Sequence, residues 1–256
     1  KPYRGGGSFV YDATKAATNN YGTIINGWVR EYDTPTFEMF GAVGDGVVDD
    51  TIAIQRAINF AETASAKNIK SEGDGAVYKT TSALVATGSD DYFHPVNKLT
   101  LDFTGSKITP TTTNQTTLII DQNHVTVIRP YITTSNGTGI TGILLGNPNL
   151  TVKSSTCFTN IIEPVFSGVK YGIISRPGAT KAGSTSGAYY NQVQSPVFMF
   201  TEIAIWMDGN PNALDNQNTR FTVYNPRHVH GKCTFQLDCC DTFNCFGGSA
   251  EFIVDT

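Results

Sequence analysis

From about residue 76 onward, apolar positions come in short β-branched runs and show no helical spacing. Lys98-Leu-Thr-Leu-Asp-Phe103, Thr117-Leu-Ile-Ile120, Val125-Thr-Val-Ile128, Gly142-Ile-Leu-Leu145, Phe158-Thr-Asn-Ile-Ile162 and Tyr171-Gly-Ile-Ile174 are runs broken by Gly, Asn, Pro and Ser. Such runs predict strands. They also repeat. Val127-Ile-Arg-Pro-Tyr-Ile132 aligns with Ile161-Ile-Glu-Pro-Val-Phe166, with Val193-Gln-Ser-Pro-Val-Phe198 and, more loosely, with Val223-Tyr-Asn-Pro-Arg-His228. The prolines of these units, 130, 164, 196 and 226, are 34, 32 and 30 residues apart. A second apolar run follows the first three: Gly142–Leu145, Tyr171–Ile174 and Glu202–Met207. Each unit reads as strand, turn at proline, strand, and a loop of variable length.

A repeat of strands without helices predicts a solenoid or a propeller. A propeller blade needs four strands and its own Trp or Gly signature, and these units lack both. The expectation is therefore an all-β, right-handed parallel β-helix (solenoid), its coils stacked about 4.8 Å apart. Its inward ladder would be Val127, Ile161, Val193, Val223 and Phe243. Arg129 and Glu163, each just before a proline, should be neighbours on successive coils. Their pairing reads equally well as a structural contact or a substrate-binding one.

Upstream the pattern differs. Residues 1–38 form a preface, a neck or linker: Gly5-Gly-Gly7 is a break, and Ser8–Tyr11, Thr23–Ile25 and Trp28–Tyr32 read as short strands. Residues 39–75 contain the one convincing helix. Asp49 or Asp50 can accept from its free N–H groups, and Thr51 to about Ala64 has no Gly or Pro. Ile54, Ala57, Ile58 and Ala61 share one face, opposite Gln55, Arg56, Asn59 and Glu62. Residues 76–256 are the coils.

Composition removes whole classes of function. The 256 residues carry a net charge of −4 with no basic cluster, which argues against nucleic acid. The longest mostly apolar stretch, Pro196–Met207, is too short to span a bilayer and contains Glu202. Only 16% of residues are charged, while Thr (34) and Asn (19) are abundant, as stacked strands and polar turns require. Cys157, Cys233, Cys239, Cys240 and Cys245 are odd in number without a CxxC, so they read as small apolar side chains made in a reducing cytosol. His228 and His230 would share a strand face, but no third ligand lies near; no metal or other cofactor is expected.

The segment Phe40-Gly-Ala-Val-Gly-Asp-Gly-Val-Val-Asp-Asp-Thr-Ile-Ala-Ile-Gln-Arg-Ala-Ile58 resembles the N-terminal signature of pectate-lyase-like right-handed β-helix proteins. Val43 and Val48 depart from it, standing where Lys and Thr are frequent. Its glycines permit tight turns, and its helix caps the first coil, which would otherwise expose strand edges. The preface, with Gly5-Gly-Gly-Ser-Phe9, Tyr11-Asp-Ala-Thr-Lys15, Tyr21-Gly-Thr-Ile-Ile25 and Gly27-Trp-Val-Arg-Glu-Tyr32, is similar to the neck before the β-helix in bacteriophage tailspikes and capsule depolymerases. The two blocks cover about the first 60 residues. The resemblance implies a homotrimeric virion protein, made in the host cytoplasm, that binds a bacterial surface polysaccharide (capsule or O-antigen) and often cleaves it. Attachment to other tail or baseplate proteins would use a part preceding this sequence. A last coil near Phe243–Val254 without a cap likewise suits a piece of a longer spike.

Glycoside hydrolysis needs two carboxylates, about 5–5.5 Å apart for retention or 6.5–9.5 Å for inversion, and adjacent coils can supply either. Glu163, Asp208 and Asp215 are the catalytic candidates. The two aspartates flank the polar stretch Gly209–Asn218, and Glu163 precedes them by one coil. A solvated loop carboxylate is the plainer reading of each. Arg129, Tyr189, Tyr190, Trp206 and Tyr224 are the substrate-binding candidates, because sugar faces stack on rings; an internal aromatic ladder is the competing reading. The calcium-site motifs of pectate lyases are missing, which ranks a lyase below a hydrolase. A non-catalytic adhesin or structural spike is the alternative to an enzyme.

Overall fold

The computed structural model describes residues 5–63, 67–73, 75–87, 98–135, 138–147, 156–176, 187–208, 217–238 and 240–251. Three parallel sheets run the length of the repeat region. The first contains Leu99–Asp102, Val125–Ile128, Asn160–Ile162, Gln192–Gln194, Phe221–Tyr224 and Phe243–Phe246. The second contains Ser106–Pro110, Tyr131–Thr133, Val165–Ser167, Val197–Met199, Arg227–Val229 and Ser249–Glu251. The third contains Leu84–Ala86, Thr116–Ile120, Thr141–Gly146, Tyr171–Arg176, Ile203–Met207 and Cys233–Leu237. The chain visits the sheets in that order, once per coil, so the fold is the parallel β-helix that the repeats predict. Among the described residues, coils carry no α-helix beyond the cap.

Each sheet points one column of side chains inward. Val127, Ile161, Val193 and Val223 pair in register in the first sheet and are fully buried. The sequence ladder errs only at its end: Val223 pairs with Cys245, whereas Phe243 continues Phe221. A two-residue slip keeps the same face in a strand of period two, so alternation alone could not reveal it. In the second sheet the inward column is Ile108, Ile132, Phe166, Phe198 and His228, all fully buried. Ile143, Ile173 and Ile205 form the third.

Corners between the first and second sheets are tight. Arg129, Glu163, Ser195 and Asn225 all take left-handed backbone, φ 47–49°. Each precedes a proline whose carbonyl accepts from the next coil, as Val165 N–H donates to Pro130 at 2.9 Å. A non-glycine residue pays about 1–2 kcal/mol for that conformation, and the flanking ladders supply it.

The cap covers one end. Its helix, Thr51–Thr63, buries Ile54, Ala57, Ile58 and Ala61, as the sequence predicts. The two aspartates divide their work. Asp49 Oδ1 accepts from the Thr51 N–H at 3.0 Å, which is the cap. Buried Asp50 turns away and accepts from Val43 and Gly44 N–H groups at 2.6 and 3.1 Å, folding the glycine segment back on the helix. Gly44, φ 63°, needs to be glycine: a Cβ there would lie 2.9 Å from the Ala76 Cβ. The preface forms an antiparallel sheet of Phe9–Tyr11, Trp28–Arg30 and Ile24–Ile25. Buried Arg30 ties it together through the carbonyls of Gly5, Gly6 and Gly22.

Candidate functional site

The C-terminal edge of the third sheet gathers charge. Ser175, Met207 and Leu237 stand in register on three successive coils. The residues that follow, Arg176, Asp208 and Asp238, therefore form the next row; Asp208 and Asp238 N–H donate to the Ser175 and Met207 carbonyls. The Arg176 Nε and Nη2 both reach Asp208 Oδ2, at 2.6 and 2.5 Å. Asp238 Oδ2 accepts from Trp206 Nε1 at 2.7 Å and from Gln236 Nε2 at 2.8 Å. Each carboxyl group thus has one oxygen fixed by donors. Trp206 belongs to an outward column, Ile119, Leu144, Ile174, Trp206, whose three aliphatic members are buried. Its indole rests on Tyr171 (centroids 5.3 Å) and lies 5.8 Å from the Arg176 guanidinium. Asp208 and Asp238 thus stand on adjacent coils, their backbones about one strand spacing apart, and Asp238 bonds to an indole that packing also holds in place.

Of the sequence candidates, Asp208 and Trp206 are in this cluster. Asp215 lies outside the described residues. Glu163 sits at a different corner, between the first and second sheets, where its Oε2 accepts from Arg129 Nε at 2.6 Å. The expected neighbours do meet, and both side chains are half exposed. Asp238 is not among the sequence candidates; its offset from Asp208, 30 residues, equals that of Pro226 from Pro196, but the sheet register is what brings the two together.

The remaining aromatics are placed differently. Tyr190 is part of a surface stack with His124 and Phe158, centroids 4.8 and 5.2 Å apart and planes within 5°. Arg220 lies over its ring at 5.0 Å and donates to its hydroxyl at 3.0 Å. Both faces of Tyr190 are therefore occupied, and its edge and hydroxyl are what it presents. Tyr224 stacks on Phe246 at 5.5 Å and is exposed on the first sheet. Tyr189 is half-buried at the end of the short strand Gly187–Tyr189.

The histidines do not share a face. His228 is fully buried, whereas His230, with φ 57° just past the strand end, turns outward and stacks on Phe200. The left-handed residue breaks the alternation on which the expectation stood. Among the described residues no cluster of three or more His, Cys, Asp or Glu is arranged to hold a metal ion. Nor are all the cysteines interior: Cys157 is buried, Cys233 and Cys240 are half-buried, and Cys245 is exposed on the last described coil.

No protein-family model matches the chain. It is 40% identical over 73 residues to the capsule K30/K69-specific depolymerase of Klebsiella phage K64-1, 27% of this chain and 9% of that protein. The structure of tailspike protein 2 from Escherichia coli O157:H7 bacteriophage CAB120 superposes with a TM-score of 0.59 at 16% identity, over 95% of this chain and 32% of that one. The chain thus spans about a tenth of its curated relative and a third of the tailspike. No helix among the described residues is long and apolar enough to cross a membrane. The chain carries the parallel β-helix of bacteriophage tailspike proteins, together with a stretch of sequence similar to a phage capsule depolymerase.

Proposed function

We propose that the chain is part of a homotrimeric tailspike of a phage virion that binds a bacterial surface polysaccharide and hydrolyses it at the Asp208–Asp238 edge. The observation that carries this reading is the placement of two carboxylates on adjacent coils beside Trp206. Asp208, paired with cationic Arg176, is the carboxylate that attacks the anomeric carbon. Asp238, on the next coil, is the general acid that gives a proton to the glycosidic oxygen. In the retaining reaction, whose carboxyl groups stand about 5–5.5 Å apart, water then cleaves the glycosyl ester while Asp238 takes the water's proton. Trp206 offers the sugar an apolar face and orients Asp238.

Incubation with purified capsular and O-antigen polysaccharides, followed by new reducing ends and by absorbance from unsaturated uronates, tests it. Release of reducing ends should fall about 10²–10⁴-fold in Asp208→Asn and Asp238→Asn, with folding intact. Unchanged release in either variant overturns the assignment. Absorbance without hydrolysis makes the protein a lyase, and binding without either signal makes it an adhesin.

A further inference from the structure

A second concavity lies on another face of the coil. It occupies about 460 Å³ on the outside of the second sheet, beside the proline corners, with Lys107, Arg129, Tyr131, Glu163, Val165 and Val197 in its walls. That volume is within the range of small-ligand sites. Lys107 and Tyr131 are lateral neighbours, because Ile108 pairs with Ile132. The Lys107 Nζ stands 5.0 Å from the Tyr131 centroid, a cation–π contact that positions the ammonium. Among the described residues no carboxylate lies within ion-pair distance of Lys107. Arg129 engages Glu163 through Nε, which leaves its terminal nitrogens to the groove. The corner positions of the two preceding coils are Gly75 and Gly105, both lining the groove, and an added Cβ at Gly75 would touch nothing within 4 Å. The floor is therefore open where later coils carry Arg129 and Glu163. Two cations face one carboxylate across an apolar base of valines.

We propose that this groove is a second polysaccharide subsite, for an anionic sugar unit whose carboxylate is received by Lys107 and Arg129. The pyranose C–H face rests on Val165 and Val197. The inference rests on the polysaccharide-binding reading above but not on cleavage, and it makes the substrate class acidic.

Affinity electrophoresis of the Asp208→Asn protein through gels containing carboxylate-bearing capsular polysaccharides tests it without digestion. At least one polymer should retard the protein, and Lys107→Ala or Arg129→Gln should weaken that by about tenfold, the scale of a charged hydrogen bond. Glu163→Gln should strengthen it, because it removes the one opposing charge, and salt should weaken it in all cases. Carbodiimide–borohydride reduction of the polymer should abolish retardation. Loss on mild acid hydrolysis as well assigns the carboxylate to a pyruvate ketal, and retention there assigns it to a uronate. Lys107→Glu, which keeps the stem and reverses the charge, replaces the alanine variant if that one misfolds. Retardation by no polymer, or equal retardation by the reduced polymer, overturns the proposal. If the wild-type protein releases reducing ends while Lys107 and Arg129 variants bind as tightly as it does, the groove falls and the hydrolase stands. Lys107-dependent retardation without any cleavage gives the reverse.

Discussion

Gly172 and Phe198 fit each other across successive coils: a Cβ on Gly172 would lie 2.4 Å from Cε1 of the Phe198 ring and 2.5 Å from the Ala204 carbonyl. Gly142 stands in the same relation to Phe166. The two rings stack at 5.2 Å with planes 9° apart, so neither can move aside without displacing the other.

Gly172→Ala should therefore destabilise the coils despite the better strand propensity of alanine. Overpacking of this kind costs about 1–3 kcal/mol, which lowers the melting temperature by a few degrees or more in a chain of this size. Thermal melts of Gly142→Ala and Gly172→Ala that match the wild type would show that the rings have room.

Glu38 makes neutral pH unfavourable where the N-terminal segment meets the first coil. It is buried, accepts from the Tyr78 hydroxyl and from the Glu72 N–H at 3.1 Å, and its carboxyl is pushed up by burial, with the Glu72 charge adding to the rise. The unfolded chain loses this proton near the ordinary glutamate range, about pH 4.3, while the native state keeps it to higher pH. Its stabilising contribution is thus full below that range and declines as pH rises through the native value. Glu38→Gln, whose amide can accept from Glu72 and donate to Tyr78, should melt higher than the wild type at pH about 7 and flatten the rising-pH decline. Parallel melting curves across that range for both proteins would refute this.

His228 has the opposite sign. Burial pushes its imidazole below the ordinary value. Nε2 lies 3.0 Å from the Thr201 carbonyl and so must donate, which leaves Nδ1 to accept from the Thr234 hydroxyl at 3.1 Å. The neutral ring contributes stability that is present above the unfolded value of about 6.5 and is lost as pH falls toward the native one. His228→Phe continues the Phe166–Phe198 column but orphans the Thr201 carbonyl, at about 1–3 kcal/mol. Expected is a lower melting temperature throughout and a shallower loss on the acid side; an unchanged acid slope excludes His228 as its source.

The repeating part of the architecture was open to reading because β-branched residues recur with the prolines that mark each corner. Val127, Ile161, Val193 and Val223 needed only period two and a repeat length. The edge of the third sheet needed more. Asp238 ends a strand with only Phe235, Leu237 and half-buried Cys233 as apolar residues, so no pattern singled it out from a solvated loop acid; register alone joins it to Asp208. Corner residues were harder still. Nothing in their chemistry says that Arg129, Phe158, Tyr190 and His230 adopt left-handed backbone, because ladder hydrogen bonds impose it. That twist decides which way each ring faces, and it separated His230 from His228.

The tight proline corners divide tolerance unequally around the coil. Each coil from Val125 onward passes from first to second sheet through two residues, whereas the stretches from third to first sheet, such as 121–124 and 147–159, differ in length from coil to coil. Insertions in the latter stretches leave the pairings of the three long sheets untouched, while a single residue added at the former would shift a whole strand's faces. A change of length after the third sheet is therefore compatible with the same three ladders. Length variation and the ladders that hold the fold are then carried by separate stretches of one polypeptide.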